Sequence, residues 1–112
     1  MKVMIIEDDN LIQHQLKGLL KKVDERIFIK QTFSYKDAKK AFFSFSPDSV
    51  FLDLALYDEG LPMLLKTFKI LKPSVKVIFM VNSPADQFKR ACLKIGADDF
   101  FDKSNIEVLN LC

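Results

Sequence analysis

Five short apolar runs alternate with five stretches whose apolar residues recur at helical spacing, and this alternation constrains the fold of the chain more than any other feature. Residues 2 to 6, Ile27-Phe28-Ile29 with Thr32-Phe33, residues 49 to 54, Val75 to Val81 and Asp99 to Asp102 read as strands. Between them, Ile12, Leu16, Leu19, Leu20 and Val23 describe a helix over residues 10 to 23, with Lys17, Lys21 and Lys22 outward and Asp9 or Asn10 as its cap. Ala38, Ala41, Phe42 and Phe45 mark a second helix ending before Pro47. Leu61, Leu64, Leu65, Phe68 and Leu71 mark a third, entered at Gly60 to Pro62 and stopped at Pro73. Phe88, Ala91, Cys92 and Ile95 give a fourth, with Gly96 as its left-handed C-terminal cap. Ser104 and Glu107 match a capping box for a fifth, which is short or truncated.

Strands joined through helices are parallel, their crossovers are right-handed, and helices cover both faces. The simplest solution is an α/β three-layer sandwich with a flavodoxin-like sheet in the order 2-1-3-4-5. At 112 residues the chain is read as a single domain. No stretch approaches the roughly 18 uninterrupted apolar residues of a membrane span, and the broken apolar run at Met1 to Ile6 is not a signal peptide. Cys92 and Cys112 form neither a disulfide framework nor a zinc site, which points to a reducing cytoplasm. A net charge of +2 argues for neither nucleic acid nor membrane as partner. The 11 phenylalanines, with no tryptophan, read as core rather than as a stacking platform.

In such a sheet the reactive crevice lies at the carboxyl ends of the strands. Asp53 ends the third apolar run, and Glu7-Asp8-Asp9 follows the first. With strands 1 and 3 adjacent, Glu7, Asp8 and Asp53 converge, and Lys103 approaches from the end of strand 5. Unit charges 4 Å apart repel by about 4 kcal/mol at an effective dielectric near 20, so a cation belongs among these carboxylates. With no Cys or His nearby, magnesium suits the oxygen ligands best. Asp9 is assigned to helix capping, and His14, off the apolar stripe, to the surface.

Three segments now carry a resemblance: Met4-Ile5-Ile6-Glu7-Asp8-Asp9, Val50-Phe51-Leu52-Asp53-Leu54 and Gly96-Ala97-Asp98-Asp99-Phe100-Phe101-Asp102-Lys103. In that order and at those separations, the chain resembles a receiver domain of bacterial two-component response regulators over essentially its whole length. The resemblance implies that Asp53 is the phosphoacceptor, supplied by a sensor histidine kinase or a phosphotransfer protein. It implies that Asp8 and Asp53 ligate Mg2+ directly, Glu7 does so through water and Ala55 through its backbone carbonyl, while Lys103 neutralises phosphoryl charge. The protein is then a phosphoacceptor taking part in its own phosphorylation and dephosphorylation, not a separate enzyme. Output passes to a downstream protein target, or through a homodimer, by the face of helix 4, strand 5 and helix 5.

The chain also departs from the family. Val81 stands where a Ser or Thr normally reports phosphorylation, and Phe100 takes the aromatic switch position without a Tyr hydroxyl. Ser104 follows the lysine in place of proline, Tyr57 replaces another proline, and Gly60 comes one residue early. These departures support an alternative, a pseudo-receiver interaction module that works independently of phosphorylation. An aspartate-nucleophile phosphatase would need a second carboxylate where Ala55 stands.

Overall fold

The computed structural model describes residues 1–56, 59–81 and 86–103, with only the backbone described for 86–89. Tyr57, Asn82, Ser83, Ser104, Glu107 and the expected fifth helix lie outside the described residues, as does the side chain of Phe88. The order is β1 (Lys2–Ile6), α1 (Asn10–Val23), β2 (Phe28–Thr32), α2 (Tyr35–Phe45), β3 (Ser49–Asp53), a 3-10 turn (Leu54–Leu56), α3 (Leu61–Leu71), β4 (Lys76–Val81), α4 (Asp86–Ile95) and β5 (Asp99–Asp102). The strands form one parallel sheet in the order β2-β1-β3-β4-β5, as the alternation predicts.

The three central strands are nearly continuous in buried apolar residues because helices cover both faces. On one face Met4, Ile6, Val50, Leu52, Phe79 and Val81 meet α2, α3 and α4, where the rings of Phe42 and Phe68 stack at 4.1 Å. On the other, Val3, Ile5, Phe51 and Met80 meet Leu16 of α1. Among the described residues no helix is long and apolar enough to cross a membrane.

The helix ends follow local chemistry. Asp9 Oδ1 accepts from the N–H groups of Leu11 and Ile12, so Asp9 is the N-cap of α1, and Ser34 caps α2 by accepting from Asp37 N. Gly96 ends α4 at a φ of +128°, and a Cβ there would meet only Leu65 at ordinary contact distance. Glycine is therefore required by the backbone angle rather than by space. Beyond it, Asp98 accepts from Lys69 Nζ and from Val77 N, tying α3 and the turn before β5 to the start of β4.

Some apolar expectations fail at the margins. Val23 and Leu71, in the last turns of their helices, are exposed. Phe28, Phe33 and Phe43 are exposed as well, the first on the edge strand β2. Lys21 does not simply point outward: its ammonium donates to the carbonyls of Glu25 and Ile27 and closes the α1–β2 turn.

Candidate functional site

Register assembles the site. Ile6 lies opposite Leu52, so the next residues, Glu7 and Asp53, leave β1 and β3 side by side. Asp53 lies opposite Met80, and Val81 opposite Asp102, so Lys103 leaves β5 one step beyond the end of β4. Its N–H donates to Val81 O at 2.8 Å. From there the side chain must cross two strand spacings, about 10 Å, passing the end of β4 at Val81. Extended lysine and aspartate side chains together span that gap, and Lys103 Nζ donates to Asp53 Oδ2 at 2.9 Å. Glu7 Oε2 lies 3.5 Å from the same ammonium.

Burial sharpens the electrostatics. Glu7 is 1% exposed and Asp53 3%, whereas Asp8 faces solvent. Burial, then the hydrogen bond shared with Asp53, pushes the Glu7 carboxyl up to about 8. Burial also opposes the charge on Asp53, yet the hydrogen bonds from Glu7, Lys103 and Ala55 N hold its carboxyl below its ordinary value. The Lys103 ammonium is likewise held above its ordinary value, against burial, by Asp53 and then Glu7. The arrangement is one buried anion, one proton-retaining carboxyl and one lysine sharing a small volume.

The site also fits a cation. Carboxylate oxygens of Glu7, Asp8 and Asp53 all lie within 4.8 Å of one another. Glu7 Oε2 is buried and, among the described residues, has no closer donor than the Lys103 ammonium at 3.5 Å, so a cation's hydration water could also serve it. All the donors are hard oxygens, the set that magnesium takes. Of the other residues singled out from the sequence, Ala55 is exposed on the 3-10 turn, its N–H donating to Asp53 Oδ1 at 3.0 Å. Val81 is buried at the end of β4, and Phe100 is a partly buried ring against the α2–α4 core. Asp9, whose N–H donates to Glu7 Oε1, belongs to the α1 cap as expected.

Gln13 is the contributor that sequence reasoning missed. It is buried on α1, and its Nε2 lies 2.7 Å from Thr32 O, 3.1 Å from Glu7 O and 3.4 Å from Ile5 O. It thus ties the carboxyl ends of β1 and β2 to the first turns of α1, beside the acidic residues. Gln13→Leu keeps the volume but removes the donor from the Glu7 carbonyl. We expect it to cost roughly 2 kcal/mol in urea unfolding and to speed amide exchange at Glu7, whose N–H bonds to Thr32 O. Unchanged exchange at Glu7 would remove Gln13 from the support of the site.

Comparison with known proteins gives a consistent family. The model of the response regulator receiver domain matches residues 3–110. The sensory transduction protein LytT of Bacillus cereus is 27% identical over 110 residues, 95% of this chain and 44% of that protein. The transcriptional regulatory protein PhoP of Escherichia coli is 28% identical over 106 residues, 92% of this chain and 45% of that protein. The chain therefore spans less than half the length of these two relatives. Among solved structures, a two-component response regulator from Clostridium difficile is 28% identical with a TM-score of 0.79, covering 99% of this chain and 90% of that one. The receiver domain of Saccharomyces cerevisiae Ssk1 shares the fold at 21% identity and a TM-score of 0.75, over 92% of this chain and 78% of that one.

Proposed function

The chain belongs to the response regulator receiver domain family, and from that premise we propose that it accepts a phosphoryl group on Asp53 and signals through protein contact. The observation that carries this reading is the 2.9 Å pairing of Lys103 with Asp53 inside an acidic cluster. The donor is a sensor histidine kinase or phosphotransfer protein, a class to which Ypd1, the partner in the Ssk1 structure, belongs.

In the transfer, a lone pair on the Asp53 carboxylate forms the new O–P bond. The P–N bond to the donor imidazole breaks, and its electron pair stays on the nitrogen. Phosphoryl transfer requires mainly positioning and charge stabilisation. The β1–β3 register and the hydrogen bond from Ala55 N support Asp53 as the oriented carboxylate, and the Lys103 ammonium, 2.9 Å from it, would meet charge on the phosphoryl oxygens. Asp8, Asp53, Glu7 through water and the Ala55 carbonyl would hold Mg2+, which supplies further charge neutralisation when bound. The chain acts on itself, as a phosphoacceptor rather than an enzyme of multiple turnover. Its setting is the cytoplasm, its target is a downstream protein, and the face of α4 and β5 is the contact surface, including for a homodimer.

Incubation with magnesium and acetyl phosphate, followed by intact-mass measurement, tests this reading. One phosphoryl group is expected on the wild type and none on Asp53→Asn; an adduct that survives the substitution would refute it.

Val81 supports a second reading, a pseudo-receiver whose docking ignores phosphorylation. A buried valine at the end of β4 has no hydroxyl to offer a phosphoryl group. Under this reading, partner affinity is the same with and without a beryllium fluoride adduct on Asp53. Under the first reading it changes.

A further inference from the structure

α3 is apolar on two sides, with Lys66 and Lys69 between them. Leu61, Leu64, Leu65 and Phe68 face the core, yet Met63 and Ile70, on the opposite side, are 65% and 69% exposed. Apolar residues repeated at i and i+7 on the outer side of a helix make a stripe that a partner could cover. Beside it, Lys36, Lys39, Lys40 and Phe43 fall at i, i+3, i+4 and i+7 on α2, so three lysines and a ring that is 78% exposed share one outer stripe. Between the helices runs an open groove of about 660 Å³, lined by Lys36 and Lys39 on one wall and Met63, Leu64 and Thr67 on the other. Glu59 is the acidic exception, at the end of the groove where α3 begins.

We propose that the α2–α3 groove is a docking site for an acidic amphipathic helix of a partner protein. Its apolar stripe would lie along Met63 and Thr67 and extend beyond the groove to the exposed Phe43 and Ile70 of the same two helices, and its carboxylates would meet Lys36 and Lys39. Charge complementarity selects this occupant. A second copy of the chain, docking by two-fold symmetry, would set the same patch against itself and bring lysines against lysines. A membrane surface calls for a convex apolar face, whereas this site is a furrow between two helices. None of the residues that line the groove belongs to the acidic cluster.

The probe is a fluorescein-labelled synthetic helix with leucines at i, i+3, i+4 and i+7 flanked by glutamates, titrated with the whole chain and followed by anisotropy. A control peptide has the same composition but an order that breaks the stripe. The striped peptide should bind about tenfold more tightly than the control, and added salt should weaken it. Lys36→Glu combined with Lys39→Glu should reduce its affinity about tenfold, and Phe43→Ser by a similar factor, with unchanged melting temperature since all three residues are exposed. Lys17→Glu with Lys22→Glu on α1 should leave it unchanged. Equal affinity for the two peptides, or equal loss with the α1 variant, would overturn the proposal. So would binding to phosphatidylserine vesicles that Phe43→Ser abolishes, or a dimer in sedimentation equilibrium that the same variant dissolves.

Discussion

Lys103→Met should lower the unfolding free energy of the metal-free protein by about 3 kcal/mol, because it strands a buried carboxylate. Asp53 keeps its charge in a nearly closed site through Lys103, Glu7 and the Ala55 N–H, and methionine removes the only cationic group bonded to it among the described residues. The loss has a second part, since the same ammonium lies 3.5 Å from Glu7. Urea unfolding of both proteins without divalent ions measures the cost. Magnesium should recover more stability in the variant than in the wild type, since only the variant lacks a resident cation, and binding to the native state adds stability by mass action. A variant as stable as the wild type would mean that the ion pair contributes nothing to the fold.

Glu7→Gln should act in the opposite direction and make the metal-free protein more stable at neutral pH. The Glu7 carboxyl is pushed up to about 8 in the folded chain, from an ordinary value of 4.5, by burial and by Asp53. The folded state therefore holds a proton that the unfolded chain has released throughout that interval. Stability then falls as pH rises from about 4.5 to about 8, by at most about 1.4 kcal/mol per pH unit. The Asp53 carboxyl and the Lys103 ammonium are displaced away from this window, below and above it respectively, and add no slope within it. Glutamine has the same shape, donates to Asp53 without a proton to lose, and should flatten the profile. Thermal melts across that pH range check this; an unchanged slope in the variant would assign it to other groups.

The site was legible because its residues sit where strands end. An apolar run fixes a strand, the strand fixes where its last carboxylate emerges, and the sheet order fixes which carboxylates become neighbours. Sequence alone thus predicts that Glu7, Asp53 and Lys103 are neighbours, and in the structure the Lys103 ammonium lies 2.9 Å from Asp53 Oδ2 and 3.5 Å from Glu7 Oε2. Gln13 escaped because a glutamine on an amphipathic helix is expected to face water. Its spacing held the signal, for it precedes Leu16 by three residues and Leu20 by seven, on the buried stripe itself. The 3-10 turn at Leu54–Leu56 was hidden for another reason: it is held partly by Tyr35, whose hydroxyl donates to Leu56 O across 21 residues, a contact no local pattern encodes. Val23 and Phe28 show the converse limit. Helical or strand periodicity predicts which way a residue points, whereas its burial depends on what packs there: Val23 is the last residue of α1, and Phe28 opens the edge strand β2.

Locating the modified residue shows whether Asp53 is the group that receives phosphate. After exposure to acetyl phosphate and magnesium, borohydride reduction converts an aspartyl phosphate to homoserine, which peptide mass mapping can place. Homoserine is expected at position 53 in the wild type and should disappear when magnesium is chelated beforehand. Homoserine at Asp8 or another carboxylate, or none at position 53 under conditions that leave the fold intact, would contradict phosphoryl transfer to Asp53.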